Sequence, residues 1–173
     1  MQTLGFFSSS SAATRGFSLI ELMVCLALIG SLAAVATPHW QRMQEVRRVD
    51  AARDQLTHDL QSARLRALQH GEALQLSRLA DCAWKSSVES DWSCGWQLSL
   101  KASKTVLQTS ALDTPLQVTF GKTVPFEISA RGDLGTVGER WVIQSRHSSP
   151  LVAMTLCLNS ASRLRWQSGD TCS

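Results

Sequence analysis

Residues 17–36 read FSLIELMVCLALIGSLAAVA, twenty consecutive positions that carry one charged side chain, the carboxylate of Glu21. As a helix this run is about 30 Å long, which matches the hydrocarbon thickness of a bilayer. With 173 residues in all, the chain has room beside it for one modest domain with one core. Hydrophobic residues make up 44% and charged residues 18%, which excludes a disordered polymer and fits a single membrane segment joined to a globular unit.

A secretory signal peptide is the competing reading, because Ala34, Val35 and Ala36 resemble its small-residue cleavage site. The apolar run exceeds the roughly 7–15 residues usual for such peptides, and they have no use for an acid. A lipoprotein signal ending at Cys25 is disfavoured by Val24, which is bulkier than the small residue expected before a lipidated cysteine. A carboxylate in lipid costs several kcal/mol unless it is neutralised, paired or near the interface, so Glu21 calls for a partner.

Around this acid the order Arg15, Gly16, Phe17 and Glu21, continued by Gly30 and Pro38, closely resembles the class III signal of type IV prepilins and type II secretion pseudopilins. The resemblance implies that residues 1–16 are a leader, removed by a membrane-embedded prepilin peptidase that cuts between Gly16 and Phe17 and methylates the new amino terminus at Phe17. Residues 17–38 then form a transmembrane and filament-core helix, with Glu21, Gly30 and Pro38 as assembly positions. Arg15 marks the cytoplasmic flank, so the rest of the chain faces the periplasm from the inner membrane before it enters a pilus or pseudopilus. Glu21 finds its partner in the free amino group of a neighbouring subunit's Phe17. The implied partners are the peptidase, the major pilin, other minor pilins, the inner-membrane assembly platform and, before assembly, membrane lipid.

Residues 39–71 continue at helical spacing, with Trp40, Met43, Val46, Val49, Ala52, Leu56, Leu60, Ala63 and Ala67 on one stripe and Gly71 as a stop. Pro38 is expected to kink or loosen the helix. His39, His58 and His70 fall on its polar side. From residue 72 to 173 the period changes to eight short β-like runs separated by Gly, Pro, Ser and Asp. A helix followed only by strands is an α+β layout. In the pilin fold that the resemblance implies, the helix stripe lies on an antiparallel sheet. The end of the helix, QSARLRALQHGEALQL, and the strand CGWQLSL with Gly95 and Trp96 resemble the GspH/FimT-type minor pilin branch.

Cys25 sits in the apolar run, where a thiol behaves as a small apolar group. Cys82, Cys94, Cys157 and Cys172 fall in the region expected to face an oxidising compartment, which suits two disulfides. Four cysteines allow three connectivities. Cys82 with Cys94 and Cys157 with Cys172 is favoured because each pair closes a local loop, worth roughly 3 kcal/mol for about 15 residues. The spacings lack the close ligand pairs of a structural zinc site, so no metal and no cofactor is expected.

In the last strand, SRLRWQ, alternation puts Arg163, Arg165 and Gln167 on one face and Leu164 and Trp166 on the other. The preceding strand pairs with it as a hairpin, and a Cys157–Cys172 bridge would clamp the two. This resembles the G-R-x-R element of FimT-type minor pilins, which ties the face to double-stranded DNA binding during natural uptake; here Ser162 stands in place of the glycine. Guanidinium forks suit phosphate, and Arg131, Arg140 and Arg146 are weaker candidates for the same patch. Against this, the net charge of +3 gives little long-range attraction to DNA, and two arginines on a strand are often only a solvated face.

No nucleophile elbow, zincin helix or phosphate loop occurs, so His147, Ser148, Ser149 and Asp133 do not assemble an enzyme motif and no catalytic residue is assigned. The expected role is that of a minor pilin that supports pilus assembly, with DNA binding during natural uptake as a further activity, and a GspH-like minor pseudopilin of a type II secretion system is the alternative. The helix does not separate the two; the arginine element favours the pilus.

Overall fold

The computed structural model describes residues 18–84, 87–113, 115–135, 138–146, 151–159 and 162–172, apart from the side chain of Val35. Gly16 and Phe17, the expected processing site, lie outside the described residues, as do His147, Ser148 and Ser149. The chain divides into two compact units, Met1–Trp40 and Gln41–Ser173. One helix, α1 (Leu19–His70), contributes to both.

Within the first unit α1 is long and apolar enough to cross a membrane, and none of its apolar window is buried by protein. One of its polar groups, Ser31, is handled locally. The Ser31 hydroxyl donates to the Leu28 carbonyl at 2.8 Å, so it presents no unsatisfied donor to an apolar surrounding. The helix continues through Pro38, which removes one backbone donor without ending it.

In the second unit the buried stripe of α1 runs Val49, Ala52, Leu56, Leu60, Ala63 and Ala67, separated by three or four residues. It starts later than the periodicity predicts: Trp40 is 58% and Val46 37% exposed, and Met43 is half-buried. Apolar spacing identifies residues that share a helix face, whereas burial also needs something opposite them. Gly71 ends the helix with φ +67°, its N–H donating to the Ala67 carbonyl at 2.9 Å, a left-handed stop that glycine adopts without steric cost.

Eight strands follow: β1 (Leu74–Arg78), β2 (Gly95–Leu100), β3 (Val106–Ala111), β4 (Leu116–Phe120), β5 (Phe126–Ile128), β6 (Arg140–Ser145), β7 (Ala153–Leu158) and β8 (Leu164–Ser168). They form two antiparallel four-stranded sheets, ordered β3-β2-β1-β5 and β4-β6-β7-β8, rather than one. The helix stripe and the inward faces of both sheets share one core. At its centre Phe120 stacks on Trp141 with ring centroids 4.4 Å apart, and Trp92 and Phe126 meet this pair edge-on. Disulfides join Cys82 to Cys94 and Cys157 to Cys172, while Cys25 is free and exposed.

The entry of β2 leaves no space for a side chain. Gly95 has φ +104°, and a Cβ built there would stand 2.1 Å from the Ser110 carbonyl oxygen, so only glycine lets β3 pass this closely.

Candidate functional site

β8 is an edge strand, and its sequence alternates as the backbone requires. Arg165 is exposed, and so is Arg163 just before the strand, while Leu164 and Trp166 are half-buried and pack against the core. The Trp166 indole N–H donates to Thr57 Oγ1 at 2.9 Å, which fixes the edge strand to α1.

The cross-strand register places Arg140 of β6 opposite Cys157 of β7, and Cys157 opposite Arg165 of β8. Residues paired in this way project to the same face of a sheet. Arg140 and Arg165 therefore flank the cystine, their backbones two strand spacings or about 10 Å apart, and Arg163 follows about 7 Å along the strand. Among the described residues none of these three guanidiniums forms an ion pair, so the face keeps its positive charge. The chain after β8 turns back over this face. Thr155 Oγ1 donates to the Gly169 carbonyl at 2.7 Å and Cys172 closes onto Cys157, holding the tail beside the arginines.

At the tip of the β7–β8 hairpin Ser162, which stands where the G-R-x-R element has glycine, adopts φ +55°, in the left-handed region that glycine enters without steric cost. The turn around it is well tied. Arg163 N–H donates to Asn159 Oδ1 at 2.9 Å, Ser162 N–H to the Asn159 carbonyl at 3.1 Å, and Asn159 N–H to the Arg163 carbonyl at 3.2 Å. Leu134 N–H reaches Ser162 Oγ at 3.3 Å, bringing the loop of Arg131 against the hairpin tip.

The weaker candidates divide. Arg140 belongs to the row just described. Arg131 is exposed on the adjoining loop, with its guanidinium 3.8 Å from the Asp133 carboxylate, which partly neutralises it. Arg146 follows the opposite end of β6 from Arg140, and its guanidinium donates to the carbonyls of Leu116 at 3.2 Å and Trp84 at 3.0 Å. It holds a loop in place and does not join the row.

A polar cluster that the sequence reading missed surrounds Asp59, which is only 5% exposed. Its carboxylate accepts hydrogen bonds from Trp96 Nε1 at 2.8 Å, Gln108 Nε2 at 2.7 Å and Ser110 Oγ at 2.6 Å. A buried carboxylate is tolerated only when donors replace water, and here β2 and β3 supply three. The cluster keys α1 to the first sheet. Its one sequence signal was position: Asp59 lies three residues after Leu56 and four before Ala63, on the edge of the buried stripe. Among the described residues no group of histidines, cysteines and acids is arranged to hold a metal.

Glu21 lies in the exposed apolar part of α1 and has no ion-pair partner among the described residues. Gly30 lies on the same helix, and among the described residues nothing comes within 4 Å of a Cβ built there.

A family profile described as the prokaryotic N-terminal methylation motif matches residues 12–37. Among solved structures the fold is similar to the type IV minor pilin FimU of Pseudomonas aeruginosa PAO1. The P21 crystal form matches with a TM-score of 0.57 and 18% identity, covering 76% of this chain and 99% of that chain. The P65 form matches with a TM-score of 0.49 and 18% identity, covering 72% and 99%. No curated protein matches the sequence.

Proposed function

Because this chain is type IV pilin-like, with the methylation motif over residues 12–37 and the pilin fold beyond it, we propose that it is a minor pilin of a type IV pilus. In this reading the prepilin peptidase cuts between Gly16 and Phe17 and methylates Phe17. Residues 17–38 hold the subunit in the inner membrane with its second unit in the periplasm, and the subunit then joins the major and other minor pilins in the fibre. The protein acts as a structural subunit and carries no chemistry of its own.

The observation that carries the reading is that Glu21, within an unburied apolar helix, has no ion-pair partner among the described residues. Once the helix is drawn from the bilayer into a fibre, a carboxylate so placed is unfavourable alone and becomes favourable when a cation is brought beside it in the same low-dielectric surrounding. The methylated amino group of a neighbouring subunit is the cation that processing creates. Glu21→Ala should therefore still be cut and methylated but be nearly absent from sheared fibres, as measured by immunoblotting of the fibre fraction against the membrane fraction. Incorporation at the wild-type level would contradict the pairing.

The second part of the proposal concerns DNA. Arg163, Arg165 and Arg140 supply three unneutralised guanidiniums on one face, a spacing suited to successive phosphates of a duplex backbone. This face favours the pilus over a secretion pseudopilus, in which a subunit has no evident use for it.

A further inference from the structure

Trp40 closes the first unit and stands four positions beyond the end of the apolar run at residue 36. It differs from the other tryptophans. Trp92, Trp96 and Trp141 are buried, Trp166 is bonded to Thr57, and Trp84 Nε1 donates to the Ser93 carbonyl at 3.0 Å. Trp40 is 58% exposed on the helix, and among the described residues its indole N–H has no hydrogen-bond partner. The core does not take it, and its neighbours Thr37, His39, Gln41 and Arg42 are polar.

An indole combines a large apolar ring with one N–H, and its favoured place is where hydrocarbon gives way to wet headgroups. Here that boundary is continuous with the apolar helix. Arg42, exposed two residues further on, adds a cation suited to lipid phosphate. Nineteen residues separate Glu21 from Trp40, or about 28 Å of helix, against a hydrocarbon layer of about 30 Å. With Trp40 seated at one boundary, Glu21 comes within a few Å of the other, where a carboxylate reaches water at little cost.

We propose that Trp40 is the outer-leaflet anchor of the subunit, seated in the headgroup–acyl boundary of a phospholipid bilayer, and that it sets the depth of the helix so that Glu21 waits at the cytoplasmic boundary. This rests on residues 17–38 spanning the membrane. Before assembly, Glu21 is then kept from the bilayer centre by lipid contacts at the opposite end of the helix. The ion pair with a neighbouring subunit forms only when the subunit is drawn out and loses that seat.

The test uses the full-length chain reconstituted in phosphatidylcholine–phosphatidylglycerol vesicles with bromine near the carboxyl end of the acyl chains, near their methyl end, or absent. Shallow bromine should quench part of the tryptophan emission and deep bromine much less. Trp40→Leu should abolish the shallow quenching while the chain still resists alkaline extraction. Because Trp40 lies outside the core, this variant should keep the fold, checked by an unchanged thermal melt. Unchanged shallow quenching in Trp40→Leu, or stronger quenching by deep than by shallow bromine, would overturn the anchor while leaving the span intact. Release of the wild-type chain by alkali would overturn the span and the anchor together.

Discussion

Ser162 holds a backbone angle that costs an L-residue about 1–2 kcal/mol. Part of that cost is offset by the hydrogen bond its hydroxyl accepts from Leu134 N–H. Ser162→Gly should raise the stability of the domain by up to about 1 kcal/mol, read as a higher midpoint in urea, with DNA binding unchanged. A loss of stability would mean that the hydroxyl contributes more than the backbone relief. The arginines are expected to behave in the opposite way. Replacing Arg163 and Arg165 together with Ala should leave the melt nearly unchanged but weaken duplex binding across unrelated sequences. The slope of log affinity against log salt should fall by about 0.9 for each lost phosphate contact. An identical slope in the double variant would reduce this face to a solvated strand. These residues were legible because a strand has a period of two. Asp59 was not, since three of its donors come from Trp96, Gln108 and Ser110, 37 or more residues away.

Among the elements, α1 shows what a periodic pattern can and cannot say. The spacing from Trp40 to Ala67 is uniform, yet burial begins at Val49. Leu60→Ala should cost about 2–5 kcal/mol of stability by removing side-chain contacts in the core, whereas Val46→Ala should stay within about 0.5 kcal/mol. Urea unfolding of both variants decides it, and equal losses would place the edge of the core wrongly. The strands were readable one by one, from short apolar alternations broken by turn residues. Their grouping into two sheets was not. β4 pairs with β6 while β5, between them in sequence, pairs with β1. Those partners are chosen by which inward faces complete the core around Trp92, Phe120, Phe126 and Trp141, and no local signal records that choice.

For the whole molecule the two units present opposite problems in folding and function. The second buries its own core and supplies its own donors to the buried carboxylate of Asp59, one of three buried acids with Asp91 and Glu139. The first leaves an apolar helix exposed and its one acid without an ion-pair partner among the described residues, and in the proposed reading lipid and then other subunits complete it. The motif around Glu21 was plain in sequence because few chains place an acid at this point of an apolar run. The neighbours proposed to pair with it leave no trace in one chain. The central claim, a processed pilin subunit, is tested most directly by the intact mass of the protein extracted from the membrane. The predicted result is a chain that begins at Phe17 and carries one added methyl group; a chain beginning at Thr37, or one retaining residues 1–16, would contradict it.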